Sequence, residues 1–238
     1  MNSLIHIENM RKIYNPGENE VRALDGISLD IDRGELIAII GHSGSGKSTL
    51  MNMLGFLDVP TSGKYFLDGK DVSQLSDNQL SDIRNKEVGF IFQGYNLIAN
   101  LNALENVELP LVYRGVSKAD RRALAVKALE KVGLGTRLKH KPNELSGGQQ
   151  QRVAVARAVA AQPPLILADE PTGNLDSKST QEIMDILKSL HKSGRTVIII
   201  THDDEIAQQA NRVIRILDGK IESDYYNHTD TQEEETHA

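Results

Sequence analysis

Apolar residues along this chain gather in short unbroken runs rather than in long amphipathic stripes. Leu36-Ile37-Ala38-Ile39-Ile40, Leu165-Ile166-Leu167-Ala168 and Val197-Ile198-Ile199-Ile200 contain no polar position. Runs of strand length without alternation predict β-strands covered on both faces, as in a parallel sheet. Helical patterns lie between them, so strand and helix alternate as in a sheet with helices packed on it. The first 35 residues read differently: Leu4 to Tyr14 and Val21 to Ile31 predict paired strands. Asp68-Gly69 and Asp218-Gly219 are hairpin-turn dipeptides between short strands, so an antiparallel sheet is expected beside the parallel one. From about Tyr95 to Glu144 the pattern is mostly helical. Over Lys118 to Val132, the residues Ala119, Leu124, Val126, Ala128, Leu129 and Val132 fall loosely on one helix face. This stretch interrupts the alternation and predicts a helical subdomain, about residues 95–160, inserted into an α/β core.

Length and charge narrow the reading. The 238 residues suffice for one sizeable core with a small subdomain, and without a repeat or linker a single domain is expected over residues 1–225. Lys and Arg number 27 against 33 acids, and six of those acids lie from Glu222 onward, where no basic residue occurs. An acidic, solvated and disordered tail is therefore expected over residues 226–238. The balanced remainder gives no reason to expect a nucleic-acid partner. Absence of cysteine excludes disulfides, thiolate metal sites and cysteine nucleophiles. The start, Met1 to Glu8, lacks a basic segment followed by an apolar run, so no secretory signal is expected. No uncharged stretch approaches the ~20 residues that span a bilayer. The expectation is a soluble, intracellular protein whose membrane role, if any, comes through a partner.

Three stretches carry chemistry. Gly41-His42-Ser43-Gly44-Ser45-Gly46-Lys47-Ser48 matches the phosphate-loop pattern at every fixed position, after a predicted strand and before a predicted helix beginning at Ser48-Thr49. Gly44 and Gly46 let the backbone curl so that its N–H groups face phosphate oxygens at a helix N-terminus. Lys47 is expected to reach the β- and γ-phosphates and Ser48 to ligate Mg²⁺. The strand Pro164 to Ala168 ends in Asp169-Glu170, placing two carboxylates at the sheet's C-terminal edge. Asp169 would hold the metal and Glu170 would polarise an attacking water. Alone, the pair is equally an ordinary strand end. Leu145-Ser146-Gly147-Gly148-Gln149 opens a helix running to about Ala161, with Ser146 suited to the N-cap. By itself that is better read as a capped helix.

Together the stretches resemble the nucleotide-binding subunit of ABC (ATP-binding cassette) transporters, from Ile5 to about Glu222. The resemblance identifies a Walker A loop at Gly41 to Thr49 and a glutamine loop at Phe92-Gln93-Gly94-Tyr95. It places the signature at Leu145 to Gln149 and the Walker B end at Asp169-Glu170. The D-loop is Asn174-Leu175-Asp176-Ser177, and the switch histidine lies in Thr201-His202-Asp203. It implies a P-loop ABC-type ATPase with a parallel-sheet core, an antiparallel β subdomain and an inserted helical subdomain. ATP would be held by Gly41, Ser43, Gly44, Ser45, Gly46, Lys47, Ser48 and Thr49, and by Ser146, Gly147, Gly148 and Gln149 of a second copy. Catalysis would fall to Glu170, His202, Gln93 and Lys47, and Mg²⁺ to Ser48, Gln93 and Asp169. Tyr14 would stack on adenine, with a sheet-packing aromatic as the alternative. Without the family His202 would read as a structural histidine at a strand end.

Within that superfamily, three stretches resemble the MacB/LolD/FtsE branch: Ala103 to Leu111, Asp169 to Asp176, and Leu54 to Asp58 with Pro60 to Gly63. The resemblance implies a head-to-tail homodimer around two ATP. It also implies a separate MacB/FtsX-type permease and a peripheral position on the cytoplasmic face of the plasma membrane. The work driven would be peptide or drug export, lipoprotein release or mechanotransmission. His42 and Gly94 occupy positions that vary in the pattern. A non-transport ABC ATPase, such as an iron–sulfur assembly ATPase, is the alternative. A regulatory nucleotide-binding module fits poorly because every hydrolytic residue is intact.

Overall fold

The computed structural model describes residues 3–17 and 19–227. The chain opens with β1 (Ser3–Tyr14) and β2 (Val21–Asp32), then β3 (Leu36–Ile40), α1 (Lys47–Leu54), β4 (Ser62–Leu67) and β5 (Lys70–Asp71). Next come α2 (Asp77–Glu87), β6 (Val88–Phe92), α3 (Ala103–Tyr113), α4 (Lys118–Lys131), a 3-10 turn at Pro142–Glu144 and α5 (Gly147–Val159). The last third holds β7 (Leu165–Asp169), α6 (Ser177–Lys192), β8 (Thr196–Ile200), α7 (Asp204–Ala207), β9 (Arg212–Leu217) and β10 (Lys220–Tyr226).

The strands make two sheets. One is antiparallel, ordered β2-β1-β4-β5; the other is ordered β10-β9-β3-β8-β7-β6, with β10 antiparallel on β9 and the rest parallel. The three apolar runs became β3, β7 and β8, the centre of the large sheet. Successive side chains on a strand point to opposite faces, and here the two faces feed different cores. Ile37, Ile39, Leu165, Leu167, Ile198 and Ile200 pack toward α1 and the antiparallel sheet. Ala38, Ile166, Ala168, Val197 and Ile199 pack toward α3, α4, α5 and α6. Two further parallel strands escape the apolar-run criterion. β6 carries Gly89, and β9 carries Arg212 and Arg215.

Asp68 and Asp218, each followed by glycine, take positive φ, as the tight hairpin turn requires. In α4 the buried side is Ala125, Ala128 and Leu129, with Leu124 and Val126 half-buried. Ala119, expected on that face, is exposed in the first turn, so the stripe is rotated toward Ala125. Tyr226, placed by composition at the start of the tail, ends β10 and donates its hydroxyl to Glu35 Oε1 at 3.0 Å. Residues 228–238, on which the rest of the expected tail falls, lie outside the described residues. Among the described residues no helix is long and apolar enough to cross a membrane.

Candidate active site

The loop between β3 and α1 is held from below. Gly46 at the N-cap of α1 has φ 107°, and the carbonyl of Ala23 occupies the space a Cβ would need. The β9–β10 turn braces it further: Gly219 N donates to Ser45 O at 2.9 Å, and Asp25 N donates to Gly219 O at 2.9 Å. Ser43, Gly44 and Ser48 are exposed at the mouth, while Ser45 is buried. Lys47 is 8% exposed and spends its ammonium on Gly41 O at 2.6 Å and His42 O at 2.8 Å. Burial lowers its pKa, against an upward pull from Glu170 and Asp169. The cation is therefore already positioned, held by two short charge-assisted bonds to main-chain carbonyls.

Two strands away, β7 delivers Asp169 to the same sheet edge. Burial raises its carboxyl pKa, with Glu170 adding to the rise and Lys47 opposing it. Glu170 turns off the strand at φ 44°, a left-handed conformation uncommon for a non-glycine residue. Its N–H donates to Ile200 O at 2.8 Å. Its carboxylate accepts from Thr201 Oγ1 at 3.2 Å and from His202 N at 3.0 Å, and lies 2.6 Å from His202 Nδ1. That contact raises the His202 pKa, although the ring is 71% exposed. The structure thus brings Lys47, Asp169, Glu170 and His202 to one edge.

Gln93 lies at the end of β6 with its amide against Gly173, and its carbonyl accepts from Asn174 Nδ2 at 3.3 Å. Tyr14 donates its hydroxyl to Asp58 Oδ2 at 3.0 Å. Lys12 sits 5.0 Å from the ring centroid and 2.7 Å from Asp58 Oδ1. The partners of Tyr14 left no sequence signal, because Asp58 is 44 residues away.

The second glycine stretch is a closed cap. Ser146 Oγ accepts from Gln149 N at 3.3 Å, and Gln149 Oε1 accepts from Ser146 N at 3.0 Å, a reciprocal capping box. A Cβ on Gly148 would collide with Ser179 of α6. The close approach that needs glycine here is to the chain's own side chains, in addition to any anion. None of the hydrogen bonds of residues 145–149 reaches residues 41–49 among the described residues. α5 packs on β6, three strand spacings from β3, or ~14 Å at about 4.8 Å per spacing.

Among the described residues no group of three His, Cys, Asp or Glu could hold a metal ion. The oxygen donors at the site include the Asp169 carboxylate, the exposed Ser48 hydroxyl and the Gln93 amide, with the Glu170 carboxylate engaged by Thr201 and His202. Such a set fits Mg²⁺, which keeps water and phosphate oxygens in its shell, and does not fit a softer metal.

A buried lysine at a glycine-curled helix start, two strands from an acid-tipped parallel strand, defines a P-loop ATPase. A family model described as ABC transporter matches residues 24–173. The macrolide export ATP-binding/permease protein MacB of Hyphomonas neptunium is 54% identical over 231 residues, 97% of this chain but 36% of the relative. An uncharacterized ABC transporter ATP-binding protein of Thermotoga maritima is 51% identical over 93% of this chain and 95% of its own length. YknY of Bacillus subtilis, described in the same words, is 51% identical over 92% and 95%. The chain spans about a third of the MacB relative and nearly all of the other two. The dimeric cassette MJ0796, solved in a post-hydrolysis state with ADP and Pi, superposes with TM-score 0.87 at 45% identity, covering 94% of this chain and 99% of that one. The chain belongs to the ABC transporter family, as an ATP-binding cassette.

Proposed function

We propose that two copies of this chain close head-to-tail around two ATP molecules, and that hydrolysis drives a separate MacB-type permease. The observation that carries the reading is the displaced signature. Residues 145–149 form a finished glycine-based helix start, exposed at Ser146, whose hydrogen bonds among the described residues do not reach their own phosphate loop. Two-fold symmetry supplies the missing half of each site from the other copy. The dimeric state in the name of the MJ0796 structure supports this pairing. The fusion of ATP-binding and permease functions in the name of the MacB relative supports the membrane partner. A peripheral position on the cytoplasmic face of the membrane follows from that partner.

In this reading the phosphate loop and Lys47 grip the triphosphate, and Ser48, Asp169 and Gln93 hold Mg²⁺. The metal, when bound, neutralises charge on the phosphate oxygens. Glu170 takes a proton from water as the water oxygen bonds to the γ-phosphorus and the bond to ADP breaks. Its carboxylate now accepts from Thr201 Oγ1 and the His202 backbone N–H and lies 2.6 Å from His202 Nδ1, so these partners compete with the water for its oxygens. Splitting each site between two chains makes this chemistry wait for closure.

Glu170→Gln is expected to lower turnover at least ~100-fold, the usual worth of a general base, and to accumulate an ATP-bound dimer in size-exclusion chromatography. Lys47→Ala is expected to abolish nucleotide binding. Wild-type turnover in Glu170→Gln would overturn the general-base role. Co-purification from the native membrane fraction tests the partner. A permease that alters ATP turnover is expected, whereas only soluble partners, with turnover insensitive to membranes, would sink the transport reading.

A further inference from the structure

Beyond β6, the segment carrying Gln93 is fastened chiefly to one helix, α5. Gln151 Nε2 donates to Phe92 O at 3.3 Å and to Pro171 O at 2.6 Å, joining the start of the segment to the turn after Glu170. Gln151 is fully buried, and its Oε1 has no partner. At the other end Arg157 donates to Asn96 O at 2.5 Å and to Tyr95 O at 2.9 Å. Both acceptors follow positive-φ residues, Tyr95 at 59° and Asn96 at 49°. Arg157 makes no ion pair among the described residues, and burial lowers its pKa. A half-buried guanidinium with only two peptide carbonyls for company gives up part of its hydration. What it obtains there is a fixed backbone kink after Gln93. In the middle, the Tyr95 hydroxyl lies where a Cβ on Gly147 would be 2.8 Å away, so the segment also leans on the first turn of α5.

α5 is stiff. Val153 to Ala156 are fully buried, and from Gly147 to Arg157 the helix spans about 15 Å. Its N-terminus is the signature, which in the head-to-tail dimer serves the other copy's ATP, while Gln93 serves its own.

We propose that Arg157, assisted by Gln151, is a positioning residue that couples the two ATP sites of the dimer, by fastening the Gln93 segment to the helix whose N-terminus reaches the opposite site. The inference rests on the head-to-tail reading. When the signature engages the opposite ATP, α5 shifts as a bar and carries Gln93 with it. Occupancy at one site thereby readies the other.

The test is steady-state ATPase of the full chain against ATP concentration, for wild type, Arg157→Ala and Arg157→Lys. With two coupled sites the wild-type Hill coefficient is expected to approach about 2 and that of Arg157→Ala to fall to about 1. Nucleotide affinity of the isolated monomer should change by less than about 2-fold, because a ligand's own contacts are untouched. Arg157→Lys keeps the cation but loses the rigid fork that spans both carbonyls, and should fall between. Thermal unfolding checks that each variant is folded. If Arg157→Ala is not, Arg157→Lys and Tyr95→Phe decide, the latter removing only the hydroxyl against Gly147. A folded Arg157→Ala with the wild-type coefficient overturns the coupling, as does a wild-type coefficient of about 1 in a protein that dimerises. Glu170→Gln with ATP separates the premises. Absence of an ATP-dependent dimer there overturns the head-to-tail reading itself, whereas a dimer there, together with an unchanged Hill coefficient in Arg157→Ala, overturns only the role of Arg157.

Discussion

The two glycine-rich helix starts look alike in sequence and are built on different physics. At Gly46 glycine is needed for its backbone: φ is 107° and a main-chain carbonyl fills the side-chain position. At Gly148 the backbone is ordinary helix, and glycine is needed because Ser179 packs against it. The first start also holds a buried cation on two carbonyls, a charge waiting for an anion. The second holds no cation, and its serine is spent on its own cap. In the proposed reading one chain thus carries a nearly complete phosphate cradle and a finished, displaced lid. The difference teaches that "glycine before a helix" names two devices, one shaped by torsion and one by close packing.

The largest effect should come from breaking the torsional device. Gly46→Ala puts a side chain at positive φ and onto the Ala23 carbonyl. A strained φ alone costs of order 1–3 kcal/mol, and the collision adds to it. Loss of ATP binding in calorimetry, with a lowered Tm, is expected; retained binding would mean that the loop tolerates another path. Next comes Gly148→Ala, which should lower Tm by an overpacking cost of about 1–3 kcal/mol and abolish dimer-dependent turnover while monomer binding survives. Because the obstacle is the Ser179 side chain, Ser179→Gly in the same chain should restore much of the lost Tm. Gly46→Ala has no such rescue, since its obstacle is backbone. Failure of the Ser179→Gly rescue would erase the distinction between the two glycines.

Much of this was legible in the sequence, for reasons particular to each element. β3, β7 and β8 announce themselves because strands covered on both faces leave no room for polar residues. β9 does not, because Arg212 is buried against Glu35 and Asp224, a pairing between residues 177 and 12 positions apart. The phosphate loop is local, so eight consecutive residues specify it. What holds it, Ala23 and Gly219, is remote and reached by backbone atoms, which have no residue signature. The bonds from α5 to residues 92–96 were hidden in the same way: Gln151 and Arg157 use main-chain carbonyls as acceptors, and every residue type has one. Family resemblance located Gln93 and His202 where spacing alone did not.

A gentler cut at the second device is Ser146→Ala. It removes the side-chain acceptor for Gln149 N and should cost about 1 kcal/mol of stability, the usual worth of a serine N-cap. Monomer ATP binding should be unchanged, since no bond from Ser146 reaches the phosphate loop. Turnover should drop with no change in the nucleotide affinity of the monomer. An equal loss in both would show that Ser146 acts within its own chain, against the split site.

The smallest effect belongs to the cradle's side, at His202. Its Nδ1 lies 2.6 Å from Glu170 Oε1, and that carboxylate raises the ring's pKa above the ordinary 6.5. Because the folded-state value is the higher one, the contact's contribution to stability is fully present below pH 6.5 and is lost as pH rises through the raised value. The ring is 71% exposed, so solvent screening should keep the contribution below about 1 kcal/mol. Titration followed by the His202 ring resonances should give a midpoint above 6.5, and Glu170→Gln should bring that midpoint down. Thermal unfolding of the wild type relative to Glu170→Gln should show its small advantage at pH 6 and lose it by alkaline pH. A midpoint at or below 6.5 would mean that the two side chains do not hold each other in the nucleotide-free chain. Glu170 would then be free before closure, and the cradle would differ from the lid in one respect fewer: it would have no residue already engaged with a partner that it must release.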